Sequence, residues 1–406
     1  MSICFCFEGV RFSLLIESKK QFYTQQMNRK IVKIILFSAF LLSVKNSIAT
    51  NIFLTKELLC DSCNKHLNLR FESSSFFKNN EYESDFATGF TGIGVMFKPT
   101  LEYYFNRNTR LNLGAFGLKY SGLDGLSELT PIYQIHHKVT NGLELIFGNL
   151  YGNLNHDLVE PLYRFDRYYL NNVEYGIQML HKSKYVDSDL WLNWEQFILE
   201  GDPFQEEFTL GNHSKIALLS RKNFEIEGDV QLLLYHKGGE IDTYMGPAFY
   251  MFNGAYGLDF YFKTKPIKYA LRSKFLNYKG EGLPETGKNH KHYKNGSGLL
   301  FSGDMEHNSF YLESGYWNGN KFVSPNGEYL YMSVSESDSE FYQDNRQIFY
   351  TKFRLKRHMS KDLKLELRAN IYVDLKNNAL PDYSFGLYFI ANELFFLKKI
   401  NKKELF

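Results

Sequence analysis

The chain reads as an all-β protein, a transmembrane antiparallel up-and-down β-barrel of about 16 strands, with 14 to 18 allowed by the pattern. Three observations predict it. Residues 363–375 alternate without a break: Leu363, Leu365, Leu367, Ala369, Ile371, Val373 and Leu375 are apolar, and Lys364, Glu366, Arg368, Asn370, Tyr372 and Asp374 lie between them. A period of two makes a strand with one greasy and one wet face. Thirteen residues at about 3.3 Å each, tilted by about 40°, reach about 33 Å, close to the hydrocarbon thickness of a bilayer. Composition is the second observation, since 29 Tyr and 37 Phe bring the aromatic share to 17% while Pro stands at 9, which suits long strands ringed by aromatic girdles. An export signal near the N-terminus is the third.

Taken in order, residues 1–26 read as an extension of the gene model ahead of Met27, without a structural role. Residues 27–49 form a signal peptide, with a basic n-region at 27–33, an apolar h-region at 34–44 and small residues at Ser47 and Ala49 for cleavage. Residues 50–65 are a short periplasmic segment, far too short for a plug domain. Cys4 and Cys6 fall in the discarded part, and Cys60 and Cys63 suit a local disulfide or no special role in an oxidising compartment. A metal would need two further ligands, which the neighbouring sequence lacks.

Residues 66–396 hold the barrel. The segment 93–105 sets Ile93, Val95, Phe97, Leu101, Tyr103 and Phe105 against Lys98, Thr100 and Glu102; 224–236 and 267–278 repeat the pattern. Weaker candidates are 110–120, 129–137, 142–151, 173–181, 188–198, 207–219, 248–262, 298–305, 309–317, 346–356 and 383–396. Short and long connections between them alternate, provided residues 329–334 belong to the long segment 318–345. By this parity 93–105 runs from outside to periplasm, so an upward strand at 66–71 must precede it and both termini are periplasmic. After the last strand comes a basic tail, 397–406, and whether Phe396 or Phe406 serves as the assembly signal stays open. A soluble sandwich or propeller would use strands of about 5–6 residues.

With 47 basic and 45 acidic side chains the net charge is +2, which gives no electrostatic case for nucleic acid. No run of about 18 apolar residues follows the signal, which excludes a helical membrane protein. Phe77-Lys-Asn-Asn-Glu-Tyr82, Thr109-Arg-Leu-Asn-Leu-Gly114, Gly148-Asn-Leu-Tyr-Gly152, Glu160-Pro-Leu-Tyr163, Asn193-Trp-Glu-Gln-Phe197, Gln205-Glu-Glu-Phe-Thr209 and His236-Lys-Gly-Gly-Glu-Ile-Asp242 can be weighed together. With them the chain resembles a family of porin-like outer-membrane barrel proteins from Bacteroidota over nearly the whole mature chain. The resemblance implies the barrel and the outer membrane of a Gram-negative bacterium, and no assigned chemistry.

In a closed barrel the even face turns to the lumen, which makes Glu225, Glu227, Asp229, Lys268, Arg272, Lys274, Lys364, Glu366 and Arg368 the pore-lining candidates. The acidic and basic rows two strands apart, about 10 Å at about 4.8 Å per strand, would set a transverse field across a wet pore; the alternative is salt-bridged filler in a plugged lumen. The loop 152–172 supplies constriction or mouth candidates His156, Asp157, Glu160 and Arg164, joined by Glu195 and Glu206. His290 and His292 lie in a long loop without further metal ligands nearby. His213 and Ser214 are adjacent on a strand and point to opposite faces, and no Walker, His-Glu-x-x-His or Gly-x-Ser-x-Gly motif is present, so catalysis is not the expected class and no cofactor is implied. The expectation is an outer-membrane channel for passive transport of small polar solutes. The alternatives are a hydrolase acting on lipid or glycan at the outer rim, with carboxylates such as Glu240 also gathered there, and a structural or adhesion barrel. Expected partners are outer-membrane lipid, small polar solutes and, during biogenesis, the barrel-assembly machinery; the oligomeric state is not legible.

Overall fold

The structure is a computed structural model that describes residues 53–400 apart from 54, 58, 240, 284–292, 339 and 378–380. The extension and signal peptide, Glu240, His290, His292 and Phe406 lie outside the described residues. Sixteen strands run in chain order: β1 (His66–Glu81), β2 (Phe90–Asn106), β3 (Thr109–Tyr120), β4 (Glu128–Thr140), β5 (Leu143–Asn149), β6 (Tyr175–Lys182), β7 (Val186–Gln196), β8 (Glu206–Ser220), β9 (Phe224–Gly238), β10 (Phe249–Thr264), β11 (Ile267–Glu281), β12 (Asn295–His307), β13 (Phe310–Asn320), β14 (Asn345–His358), β15 (Leu363–Asp374) and β16 (Asp382–Lys399). Each pairs antiparallel with its chain neighbours, and β1 pairs with β16 to close the ring. Closure leaves no sheet edge with unpaired backbone for lipid to meet.

Long strands are built as the alternation demands. Ile93, Leu101, Leu113, Ile135, Ile371 and Phe389 stand exposed on the outer wall, while Glu102, Asp229, Lys274 and Glu366 are buried inside. Most strand boundaries shift by one to three residues from the sequence reading, and two of the shifts matter for closure. β1 extends ten residues beyond Phe71, to Glu81, and β16 runs through Lys399, so residues 397–399 are strand and not tail. The closing seam requires this, because His66 and Leu67 at the start of β1 find their partners in Lys399 and Lys398. Residues 329–334 stay within the β13–β14 connection, where a 3-10 turn forms at Tyr329–Tyr331.

The lumen is packed. Its outer half is apolar as well as polar: Trp191, Leu233, Leu276, Trp317 and Ile348 from the wall join Leu162, Tyr163, Phe322, Leu330 and Tyr331 from the β5–β6 and β13–β14 connections in one buried cluster. A second cluster gathers Phe53, Phe76, Phe116, Tyr169 and Tyr388. Burial of these side chains on a lumenal face supplies the usual gain of about 25 cal/mol per Å², which a water-filled pore would forgo.

Candidate functional site

Three segments meet inside the barrel. The β5–β6 connection (150–174) turns inward at Gly148, whose φ of +93° lies in the left-handed region glycine tolerates. The backbone groups left behind by the short strands are taken up by lumenal amides: Gln134 Nε2 donates to Asn149 O at 2.6 Å and Asn149 Nδ2 to Glu174 O at 3.1 Å. The β13–β14 connection (321–344) is pinned by Arg346, which stacks 3.3 Å from the Phe86 ring centroid, pairs with Asp374 and donates to Leu330 O at 2.9 Å. From the barrel end at which β1 starts, Phe53, Thr55, Lys56 and Glu57 enter the lumen, where the sequence reading has a short periplasmic segment. Thr55 N donates to Asn155 Oδ1 at 2.8 Å, Lys56 Nζ reaches Asp189 at 3.2 Å, and Phe53 sits edge-on to Phe165, Tyr168 and Tyr388. Cys60 and Cys63 just below are disulfide-bonded.

The wall is lowest where the first plug loop leaves it. β5 has 7 residues and β6 has 8, against 11 to 18 in the other strands. Residues 128–133 of β4 therefore pair only with β3, and residues 194–196 of β7 only with β8. Trp194 and Phe197 face outward beside this gap, each well exposed. Glu195 faces inward from the same strand end. Its Oε1 accepts a 2.6 Å hydrogen bond from Thr209, and its Oε2 lies 3.5 Å from Arg167 Nη2. Arg167 comes from a single helical turn in the plug loop, α1 (Arg167–Leu170), and donates through Nη1 to Asn326 Oδ1 at 2.7 Å. Its Nε and Nη2 are buried and make no hydrogen bond among the described residues. Burial opposes its charge, but Tyr163, Glu195 and Glu174 outweigh that and hold its pKa up.

Deeper in, His156 is clamped. Nε2 lies 3.0 Å from Glu174 Oε2 and Nδ1 3.1 Å from Asp189 Oδ2, and the ring stacks on Trp191 at 3.5 Å between centroids. Tyr163 OH donates to Glu174 at 2.6 Å and Gln178 to Asp189 at 2.8 Å. Burial works against the imidazolium, yet the Glu174 and Asp189 carboxylates raise its pKa above the ordinary value. An imidazole protonated on both nitrogens has no lone pair with which to take a proton. His156 is thus suited to holding the loop and not to acting as a base.

The other mouth candidates are dispersed. Asp157 pairs with Lys215 at 2.6 Å, Glu160 with Lys352 at 2.7 Å, and Arg164 with Glu336 at 2.8 Å. Glu206 opens β8 opposite Gly238. The pore-lining candidates face inward, but their rows do not stand 10 Å apart as separate charges. Lys274 Nζ spans β10 to reach Asp229 at 2.9 Å and Asp259 at 3.0 Å, Arg272 joins Asp304 and Asp259, Glu225 meets Lys263 at 2.5 Å, Lys268 lies 3.6 Å from Glu306, and Arg368 joins Glu366. Long side chains close the gap that strand spacing leaves, so the transverse field is replaced by ion pairs. Glu227 lies across from Asp259, and Lys364 borders a small cavity of about 100 Å³ beneath Phe53. Glu174 and Asp189 were not singled out by the sequence, whereas Arg167 belongs to the loop 152–172 read there as a possible constriction. Asp189, Trp191, Asn193 and Glu195 alternate with Leu190, Leu192 and Trp194, a signal that places Asp189 on the lumenal face.

Comparison with known proteins gives three findings. None of the curated proteins compared with the chain matches it. Solved barrels are similar to the chain at low identity: the outer membrane protein OprD from Pseudomonas aeruginosa (10% identical, TM-score 0.45, 86% of this chain and 97% of that one), OccAB3 from Acinetobacter baumannii (11%, 0.44, 81% and 99%) and OmpT, an outer membrane protein of Vibrio cholerae (7%, 0.48, 80% and 97%). The family model described as lipid A 3'-O-deacylase-type matches residues 59–400, from the disulfide through the end of β16. That match spans the whole barrel and the greater part of the chain, and the chain therefore belongs to the lipid A 3'-O-deacylase-type family.

Proposed function

We propose that the chain is an outer-membrane ester hydrolase acting on an acylated glycolipid of the lipid A class at the outer rim, with Glu195 as general base and Arg167 as oxyanion donor. The observation that carries it is the rim: beside the lowest part of the wall, a carboxylate held by Thr209 faces a buried guanidinium that has hydrogen-bond capacity to spare. Family membership supports the substrate class, and the packed lumen favours surface chemistry over passage of small polar solutes. A carboxylate and a cation within reach of one reacting carbonyl are the parts that water-mediated acyl transfer needs.

In this scheme Glu195 takes a proton from water as its oxygen attacks the acyl carbonyl, and the Arg167 N–H groups carry the charge that develops on the carbonyl oxygen. Collapse breaks the acyl–oxygen bond and releases a fatty acid, while the proton held by Glu195 passes to the departing sugar oxygen. Incubation of the detergent-purified chain with lipid A, read by mass spectrometry, should show loss of one ester-linked acyl chain. Glu195→Gln should abolish the loss without changing heat-modifiable gel mobility. No release by the folded wild type, or stepwise conductance in a planar bilayer from a chain assumed to be plugged, would count against the proposal.

A further inference from the structure

Beside the two plug loops the lumen keeps a cavity of about 260 Å³, lined by residues of β8–β16, by Lys78 of β1, and by residues 157–161 and Tyr331 of the loops. Of the seven cations that line it, Lys78, Arg272 and Arg368 are paired with carboxylates behind the lining, Asp166, Asp304 and Glu366. The least engaged donors belong to two neighbouring arginines. Arg354 on β14 and Arg368 on β15 are direct cross-strand partners, both turned to the lumen. Like charges at directly opposed positions repel, and nothing in the backbone forces arginine at either site.

The surroundings hold the two guanidiniums in place while leaving most of their N–H groups unengaged. Arg354 stacks 4.6 Å from the Tyr311 ring centroid and has no hydrogen-bond or ion-pair partner among the described residues. Arg368 lies between the rings of Phe165, at 4.3 Å, and Phe53, at 4.4 Å, and only its Nε is engaged, by Glu366. Stacking occupies the faces of a guanidinium and leaves its N–H edge for a ligand. The neighbouring carboxylates are otherwise committed: Glu313 accepts from Tyr311 OH at 2.8 Å and Tyr350 OH at 3.0 Å, and Glu160 pairs with Lys352.

We propose that Arg354 and Arg368, with Lys352 beside them, form a lumenal binding site for a phosphate monoester dianion. Two guanidinium forks present donors that match phosphate oxygens, and a dianion offsets both charges at once. The cavity admits such a group and not a whole glycolipid, so this site is separate from the rim chemistry and stands or falls independently of it. The dianion can belong to a free phosphate or to a lipid headgroup.

The test is thermal unfolding of the full chain in neutral detergent, with inorganic phosphate or a short-chain phosphatidic acid added against a chloride background. Wild-type protein should be stabilised in a saturable way by at least one probe. In R354Q the apparent affinity should fall about tenfold or more, the usual loss for one charged hydrogen-bonding group. R354Q should keep the heat-modifiable gel mobility of wild type in chloride alone, which shows that the variant folds. R368Q should lose the same response. Stabilisation by phosphatidic acid alone would support the site and assign it to a headgroup. Stabilisation by neither probe, or equal responses in wild type and both variants, would overturn the proposal.

Discussion

Replacing His156 by Ala tests whether the filled lumen depends on the imidazolium clamp. The substitution removes the positive partner of two carboxylates that are themselves almost fully buried, Glu174 and Asp189. Removing one member of a buried ion pair costs about 3–5 kcal/mol, because the remaining charge stays desolvated. Lys56 still lies 3.2 Å from Asp189 and Tyr163 still donates to Glu174, which places the expected loss near the lower end, about 3 kcal/mol. The variant should lose heat-modifiable mobility at a lower temperature, become cleavable within 150–174, and conduct in a planar bilayer as that loop leaves the lumen. The pH dependence follows from the same geometry. The folded pKa of His156 is raised, so its stabilisation is complete below the ordinary value of about 6.5 and is lost as pH rises through the folded value. Glu174 is held low by His156 although burial alone would raise it, so its share is present above the ordinary carboxylate range and is lost as pH falls through the depressed value. The plug should therefore be tightest between these limits and loosen in alkali. A His156→Ala protein with an unchanged transition, intact loop and closed barrel would refute the reasoning.

Three further substitutions probe the other anchors. Gly148→Ala should destabilise the barrel by about 1–3 kcal/mol, since φ is +93° and an added Cβ would stand 2.3 Å from Tyr133 O; equal thermal transitions would show that the inward turn tolerates a side chain. Arg346→Leu leaves Asp374 without its cation and frees Leu330 O, for an expected loss of about 3–5 kcal/mol and new protease cleavage within 321–344, and resistance equal to wild type would contradict the pinning role. Burial, then Asp166 and Glu160, push the Glu328 carboxyl up to about 8, so the folded loop favours the protonated acid and loses stability as pH rises through that value. Glu328→Gln should flatten this loss, which runs from the ordinary carboxylate value of about 4.5 up to about 8, in a pH series of unfolding curves, and an identical slope in the variant would exclude Glu328 as its source.

The faces of the strands were legible because side-chain direction in a strand follows from position alone. Leu363, Leu365 and Leu367 against Lys364, Glu366 and Arg368 assign lipid and lumen before any partner is known. The strand number was legible for a related reason, since long and short connections must alternate in an up-and-down barrel. The end of β1 was not, because its outer half carries Ser73 and Ser75 on the lipid side and breaks the apolar alternation that marks a strand; pairing with β2 and β16 on both edges keeps it extended anyway. Partners are a different kind of information from faces. Whether Lys274 meets water or Asp229 depends on the reach of a four-carbon stem across β10, and whether residues 150–174 fold inward depends on Asp189, 33 residues after His156, being there to receive it. Both are properties of the closed ring. Arg354 shows the limit most clearly: Lys352, Arg354 and Lys356 read as one more wet lumenal face until the register sets Arg368 directly opposite. Only then does an ordinary alternation become two guanidiniums with unengaged N–H groups facing one cavity, an arrangement that an anion binding there would stabilise.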